Sequence, residues 1–157
     1  MRKKIIESVQ QQTRPEDHDW LNLEELATVE LSSEDEACPI ESALLPDARP
    51  GWRAADPGKQ TVRLVFNEPQ RLQLIRLGFE ETATERTQEY VLRWSPDGGK
   101  TYHEIVRQQW NFSPDGTTTE TEEYQVGLAA VTALELSIIP DISGKHAYAT
   151  LAQLRLA

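Results

Sequence analysis

The sequence contains a single cysteine, Cys38, in 157 residues. One thiol cannot form an internal disulfide, and no cluster of further ligands surrounds it at the spacing of a zinc site. A disulfide scaffold and a zinc module are therefore both disfavoured. We interpret Cys38 as a small, buried or half-buried thiol.

Long apolar runs are also missing. The first residues, MRKKIIESVQ, are basic, but their apolar run ends after Ile5 and Ile6, far short of a signal-peptide core. No other stretch approaches the roughly 20 apolar residues that cross a bilayer. We therefore expect a cytoplasmic protein without a membrane partner.

Basic residues are absent from one long segment. Between Glu16 and Asp47 the chain carries eleven carboxylates and no Lys or Arg, and its net charge is -10. An acidic surface repels phosphate backbones, so we expect no nucleic-acid partner. Such a segment is typical of a solvated surface, and the alternative is a contact with a basic partner.

Catalytic signatures are missing as well. The sequence has no G-x-S-x-G elbow, no phosphate-binding glycine loop and no H-E-x-x-H. Its three histidines, His18, His103 and His146, are scattered without flanking metal ligands. The pairs Glu80–Glu81 and Glu122–Glu123 fall at strand edges, where water keeps carboxylates ionised. We predict no enzymatic activity.

What is present is a succession of short, alternating strands. In TVRLVF the apolar Val62, Leu64 and Phe66 occupy one face, and the phase then slips by one residue within RLQLIRLGF. Such a slip indicates a bulge or a strand covered on both faces. Eight or nine such strands separated by turns predict an antiparallel sandwich or barrel over residues 20–157. Residues 1–19 are predicted to be an N-terminal arm with a short helix.

The stretch SPDGGKTY, residues 95–102, predicts the sharpest of these turns. Ser95 and Asp97 have side chains that cap backbone amides, and Gly98 and Gly99 tolerate positive φ. We expect a structural hairpin here.

The order of these features resembles the discoidin-like (coagulation-factor type C) domains of the galactose-binding-like superfamily. The matching stretches are VELSSEDE, ESALLPDARPGWRAADPGKQTVRLVF, YVLRWSPDGGKTYHEI, and the closing ALELSIIPD with ATLAQLRL. The resemblance covers about 130 residues. It implies an eight-stranded antiparallel jelly-roll β-sandwich without catalytic residues, which binds ligands through loops at one end.

Two relatives within that superfamily imply two functions. The first is the bacterial carbohydrate-binding modules, which imply a non-catalytic module for a carbohydrate or similar polar ligand. The second is the amino-terminal domain of the X-ray repair cross-complementing scaffold protein, which has similar Ser-Ser and Trp-Arg-Ala-Ala runs. It implies a protein-interaction scaffold that uses a sheet edge or the acidic 16–47 segment against a basic partner.

The resemblance places the ligand loops near residues 34–40, 53–59 and 80–87. The candidate binding residues in and beside them are Trp52, Arg53, Asp56, Lys59, Glu81 and Arg86. Trp52 either seals the end of the sandwich or contacts a ligand, and Arg53 either pairs with the acidic segment or contacts a ligand. For Arg86, in the polar stretch EETATERT, the alternative is a solvated surface role.

Trp110 and Phe112 form a second candidate platform. Two residues apart on a strand, they point to the same side. Packing into the core or at a sheet edge is the alternative for both.

The resemblance also bears on a structural calcium ion. The family uses an Asp near the position of Asp47 and a Glu in the final strand. Here Gln153 stands in that strand, and a neutral amide is a weaker Ca²⁺ ligand than a carboxylate. Ala48 also replaces the glycine that usually follows the Asp. We expect no cofactor, and Asp47 remains the candidate ligand if calcium is bound.

Overall fold

The computed structural model describes residues 19–46 and 50–157. Within these ranges the chain forms eight strands and two single-turn helices. The helices are α1 (Leu23–Leu26) and α2 (Glu41–Leu44), and the strands are β1 (Ala27–Leu31), β2 (Trp52–Arg53), β3 (Gln60–Glu80), β4 (Arg86–Ser95), β5 (His103–Phe112), β6 (Thr119–Ile139), β7 (Thr150–Leu151) and β8 (Gln153–Leu156). The arm predicted over residues 1–19 lies almost wholly outside the described residues.

Two strands of 21 residues, β3 and β6, run antiparallel to each other and organise the sheets. The first half of β3 pairs with β1 and with the second half of β6. Its second half pairs with β8 and with the first half of β6. The pairing shifts register three times between Val65 and Leu74, which confirms the irregularity predicted from the phase slip.

The two halves of these strands belong to two facing layers. One layer has the order β1–β3–β6–β4–β5, and the other has the order β8–β3–β6. Rings from opposite layers meet between them, with the centroids of Phe79 and Tyr90 4.9 Å apart. The predicted antiparallel β-sandwich is therefore confirmed.

The core follows the alternation of the sequence. Val62, Leu64 and Phe66 are buried, whereas their neighbours Thr61, Arg63 and Val65 are half-exposed. Each such buried apolar side chain stabilises the fold by about 2 kcal/mol relative to an exposed position.

The loops predicted to bind ligand gather at one end of the sandwich, because β1 and β6 end there while β3 and β4 begin there. Backbone hydrogen bonds tie the loops to one another: Gly58 donates to Ala147 (3.0 Å), Glu81 to Thr118 (2.8 Å) and Ile142 to Thr87 (2.8 Å). The 96–102 hairpin lies at the opposite end. Among the described helices, none is long and apolar enough to cross a membrane.

Candidate functional site

Trp52 closes the loop end from inside. Its side chain is only 2% exposed, and its indole Nε1 donates to the backbone oxygen of Ser33 at 3.1 Å. The Ser33 hydroxyl accepts hydrogen bonds from the amides of Ala55 and Asp56 at 3.0 and 3.2 Å. Trp52 therefore anchors the 53–59 loop from the core, and a direct contact of its ring with a ligand stays a prediction.

Gly51 allows this arrangement by its lack of a side chain. Its φ is +100°, and a Cβ there would lie 2.8 Å from the backbone oxygen of Leu151. The two short strands β2 and β7 pair at this point, with Trp52 opposite Leu151. Glycine is thus required both by the backbone angle and by the close approach.

Arg53 faces the opposite way, toward the surface. Its guanidinium carbon lies 4.6 Å from the centre of the Tyr148 ring, and His146 meets the same ring edge-on at 5.4 Å. Two hydrogen bonds hold the backbone of Arg53. Its amide donates to the backbone oxygen of Cys38 at 3.1 Å, and its backbone oxygen accepts from the amide of Asp35 at 2.9 Å. A cation, a half-buried ring and an exposed imidazole therefore lie together on the loop face.

A pocket of about 200 Å³ adjoins Arg53. Its walls come from three segments, residues 50–53, 80–83 and 150–152, together with Cys38. Asp56 and Lys59 lie exposed on the neighbouring loop, which the bond from Gly58 to Ala147 holds beside Tyr148. The structure thus groups Arg53, Asp56 and Lys59 on one loop face, and their contact with a ligand stays a prediction.

Arg86 does not lie on the surface, so the alternative of a solvated surface role is wrong, whereas its predicted contact with a ligand stays a prediction. Its residue is 1% exposed, and its guanidinium donates to the Glu81 carboxylate at 2.8 Å. Further donors reach the backbone oxygen of Pro140 (3.0 Å), the Gln88 side-chain oxygen (3.3 Å) and the Thr150 hydroxyl (3.1 Å). Arg86 therefore joins the 81–85 loop to the segment between β6 and β7.

Glu81, the partner of Arg86, is 8% exposed. Burial by itself raises the pKa of its carboxyl, but hydrogen bonds from Arg86 and from the Ala83 and Thr84 amides outweigh burial and hold the pKa below its ordinary value. Because the Glu81 carboxylate already accepts these hydrogen bonds, it is a poor proton acceptor, and it forms part of the pocket wall.

Trp110 and Phe112 do not form an exposed platform. Phe112 is fully buried beneath Arg86, whereas Trp110 is half-buried and packs against the core. The Trp110 Nε1 is buried and has no hydrogen-bond partner among the described residues. Core packing is the role that the structure gives this pair, and neither residue adjoins the pocket.

Glu120 is a buried acid that the sequence analysis missed. It is 2% exposed, it accepts a hydrogen bond from the Gln88 amide nitrogen at 3.2 Å, and its second oxygen has no partner among the described residues. Burial raises its pKa to about 7, with a smaller contribution from Glu122. The sequence did carry one indication of this burial. In the strand E-T-E-E-Y, residues 120–124, Glu120 alternates onto the same face as the ring of Tyr124.

A metal site is not formed by the described residues, where no group of three His, Cys, Asp or Glu side chains is suitably placed. Asp47, the candidate calcium ligand, lies outside the described residues. Gln153 lies against Gly78, with its Cγ 2.8 Å from the position of an added Cβ, so it packs between neighbouring strands.

Solved structures that superimpose on this chain include carbohydrate-binding modules. The family 32 module of NanJ from C. perfringens, solved in complex with galactose, superimposes with a TM-score of 0.65 over 87% of this chain and 96% of that one, at 14% identity. A second module from Clostridium perfringens, in complex with GalNAc-β-1,3-galactose, gives 0.63 over 88% and 99%, at 15% identity. The C-terminal domain of a Bacteroides fragilis chitobiase gives 0.63 over 88% and 97%, at 16% identity.

The chain shares the β-sandwich fold of these solved structures. At these identities the likeness establishes the architecture of the chain, as the sequence resemblance implied. The sequence matches no protein-family model and has no significant match among curated proteins.

Proposed function

We propose that this chain is a non-catalytic binding module that recognises a carbohydrate or a similar polar ligand at its loop end. The observation that carries the proposal is the cluster of Arg53, Tyr148 and His146 beside the 200 Å³ pocket. A sugar offers an apolar C–H face to an aromatic ring and hydroxyl groups to planar donors. Tyr148 supplies the ring, and Arg53 and His146 supply the polar groups.

The fold supports the same function. Its solved neighbours include modules in complex with galactose, with GalNAc-β-1,3-galactose and with 4,5-unsaturated mannuronic acid. The loop face of this chain is fastened by backbone hydrogen bonds, which limits the entropy lost when a ligand orders it. A binding role without chemistry also agrees with Glu81, whose carboxylate is committed to Arg86.

Calorimetric titration of the full chain with galactose, N-acetylgalactosamine and mannuronate tests the proposal. We expect binding to at least one sugar, and a loss of about tenfold in affinity in Tyr148→Ala and Arg53→Ala, about 1.4 kcal/mol each. Tyr102→Ala and Arg107→Ala are the matched controls, because both lie away from the loop face and leave it intact.

Thermal unfolding of the four variants accompanies the titrations. Equal losses of affinity in the loop-face and control variants, at unchanged stability, would show that the sugar binds elsewhere. No binding of any of the three sugars to a folded chain would refute a module for these ligands.

A further inference from the structure

An apolar groove of about 300 Å³ opens along β1, between α1 and α2. Its floor consists of the buried leucine and isoleucine side chains Leu23, Ile40 and Leu44, and its walls of the half-buried Ala27, Val29, Leu31 and Leu45. The groove does not share a lining residue with the pocket at Arg53. Apolar surface left open in this way favours an apolar occupant.

The strand that borders the groove lies at the edge of its sheet. Within the described residues β1 pairs with β3 alone. Its alternate residues Ala27, Val29 and Leu31 face the groove, whereas Thr28 and Glu30 are exposed. An edge strand offers backbone donors and acceptors to an added strand, and the side chains of an added strand alternate in the same way.

The rim of the groove is acidic. Glu24, Glu34 and Glu41 are exposed, and none of them forms an ion pair within residues 19–46 and 50–157. Glu34 accepts a hydrogen bond from the Ile40 amide at 2.7 Å. At the end of α2, the guanidinium of Arg155 donates to the backbone oxygens of Ala43 and Leu45. The side chains around the opening are therefore complementary to a cationic segment.

We propose that this groove docks an extended segment of a partner protein in which apolar residues alternate with Lys or Arg. The segment adds a strand to the free edge of β1, places every second side chain in the groove, and sets its cations against the acidic rim. This protein-interaction surface goes beyond the sugar-binding function and does not depend on it.

The test is fluorescence anisotropy of the full chain with a labelled peptide, acetyl-Lys-Val-Lys-Leu-Lys-Val-Lys-amide. A control peptide with serine in place of the apolar residues carries the same charge. We expect the apolar peptide to bind and the serine peptide to bind about tenfold more weakly or not at all. Equal binding of the two peptides would overturn the proposal, because attraction of charge alone would explain it.

Variants of the chain separate the two contributions. Val29→Asp adds a negative charge inside the groove, so charge attraction alone predicts tighter binding, whereas docking predicts weaker binding. The double variant Glu24→Gln, Glu41→Gln is expected to weaken binding about fivefold at low salt. Glu104→Gln with Asp115→Asn makes the same charge change on exposed residues outside the groove and is expected to leave binding nearly unchanged.

Because Val29→Asp changes a packed residue, circular dichroism checks that this variant folds. If Val29→Asp unfolds, the double variant Glu24→Gln, Glu41→Gln, which changes only exposed residues, still tests the proposal. Two further outcomes would overturn it. Self-association of the chain that Val29→Asp abolishes would make a second copy the occupant. Peptide binding seen only after Arg2, Lys3 and Lys4 are changed to Gln would make the chain's own basic stretch the occupant.

Discussion

The guanidinium carbon of Arg86 lies 4.9 Å from the centre of the Phe112 ring, and both side chains are shielded from water. A guanidinium removed from water is stable only when its donors are matched, and here Glu81 supplies the charge that balances it. The ion pair of Arg86 and Glu81 connects the wall of the loop-end pocket to the strands beneath it. Its loss is therefore expected to affect the fold as a whole.

Arg86→Met is expected to destabilise the protein by roughly 3 to 5 kcal/mol, because it leaves the Glu81 carboxylate buried without its partner. Urea unfolding followed by tryptophan fluorescence measures the change. Adding Glu81→Gln to Arg86→Met removes the orphaned charge and is expected to recover part of the loss.

The control for this prediction is Arg107→Met. Arg107 pairs with Glu104 at 3.1 Å, and both side chains are 48% exposed. Such a pair contributes under about 1 kcal/mol. A loss in Arg86→Met no larger than in Arg107→Met would show that the buried pair is not the support described.

Glu120 is expected to make the stability fall as pH rises. Its folded pKa of about 7 lies above the ordinary value of 4.5, so between these values the folded chain holds a proton that the unfolded chain releases. Its contribution is therefore complete below pH 4.5 and is lost as pH rises through 7. The shift corresponds to roughly 3 kcal/mol at full ionisation.

Glu120→Gln provides the measurement, because it keeps the shape of the side chain and removes the titration. Unfolding free energies at pH 5 and pH 8 are expected to differ less in the variant than in the parent, with the variant the more stable at pH 8. An identical pH dependence of the two proteins would assign the effect to other groups.

Gly51 and Gly58 form a matched pair for testing the β2–β7 contact. Both have positive φ, but a Cβ at Gly51 meets the Leu151 oxygen at 2.8 Å, whereas a Cβ at Gly58 meets nothing within 4 Å. Gly58→Ala is expected to lose about 1 kcal/mol from backbone strain, and Gly51→Ala about 1 to 3 kcal/mol more. Thermal unfolding measures the loss of stability in each variant. Equal losses would show that the backbone of β7 shifts to accommodate the added methyl group at little cost.

Asp97 is expected to stabilise the 96–102 hairpin when its carboxyl group is ionised. Hydrogen bonds from the Thr101 hydroxyl and amide and from Ser95 lower its pKa from 3.8 to about 2. Its contribution to stability is therefore present above pH 4 and is lost as pH falls through 2. In Thr101→Val the carboxyl pKa, read from NMR titration, should rise toward the ordinary value, and an unchanged pKa would contradict the assignment.

The fold could be predicted from the sequence because its information is local. The alternation of Val62, Leu64 and Phe66 specifies a half-buried strand, and the Ser95–Asp97 turn specifies a hairpin, each within a few residues. The sequence did not show that TVRLVF and RLQLIRLGF form one continuous strand, since the polar stretch between them is typical of a turn.

The site could be predicted only in part. Arg86 lies in a polar stretch, so local sequence suggested solvent, but its acceptors at Pro140 and Thr150 are 54 and 64 residues away. For Trp52 the sequence left two roles open, and it did not reveal that the indole is buried and donates to the backbone oxygen of Ser33, 19 residues away. Burial of a polar or aromatic side chain depends on such distant partners, which composition and periodicity do not reveal.

The continuous strands β3 and β6 also determine how the chain reaches its native state. Because each strand contributes to both layers, neither layer forms without the other, and folding is expected to be a single cooperative step. Most of its pairings join residues far apart in sequence, so loop closure precedes the gain from contacts and folding is slow. Newly made chains are therefore expected to expose unpaired strand edges for longer than a helical protein of this size, which favours aggregation during that interval.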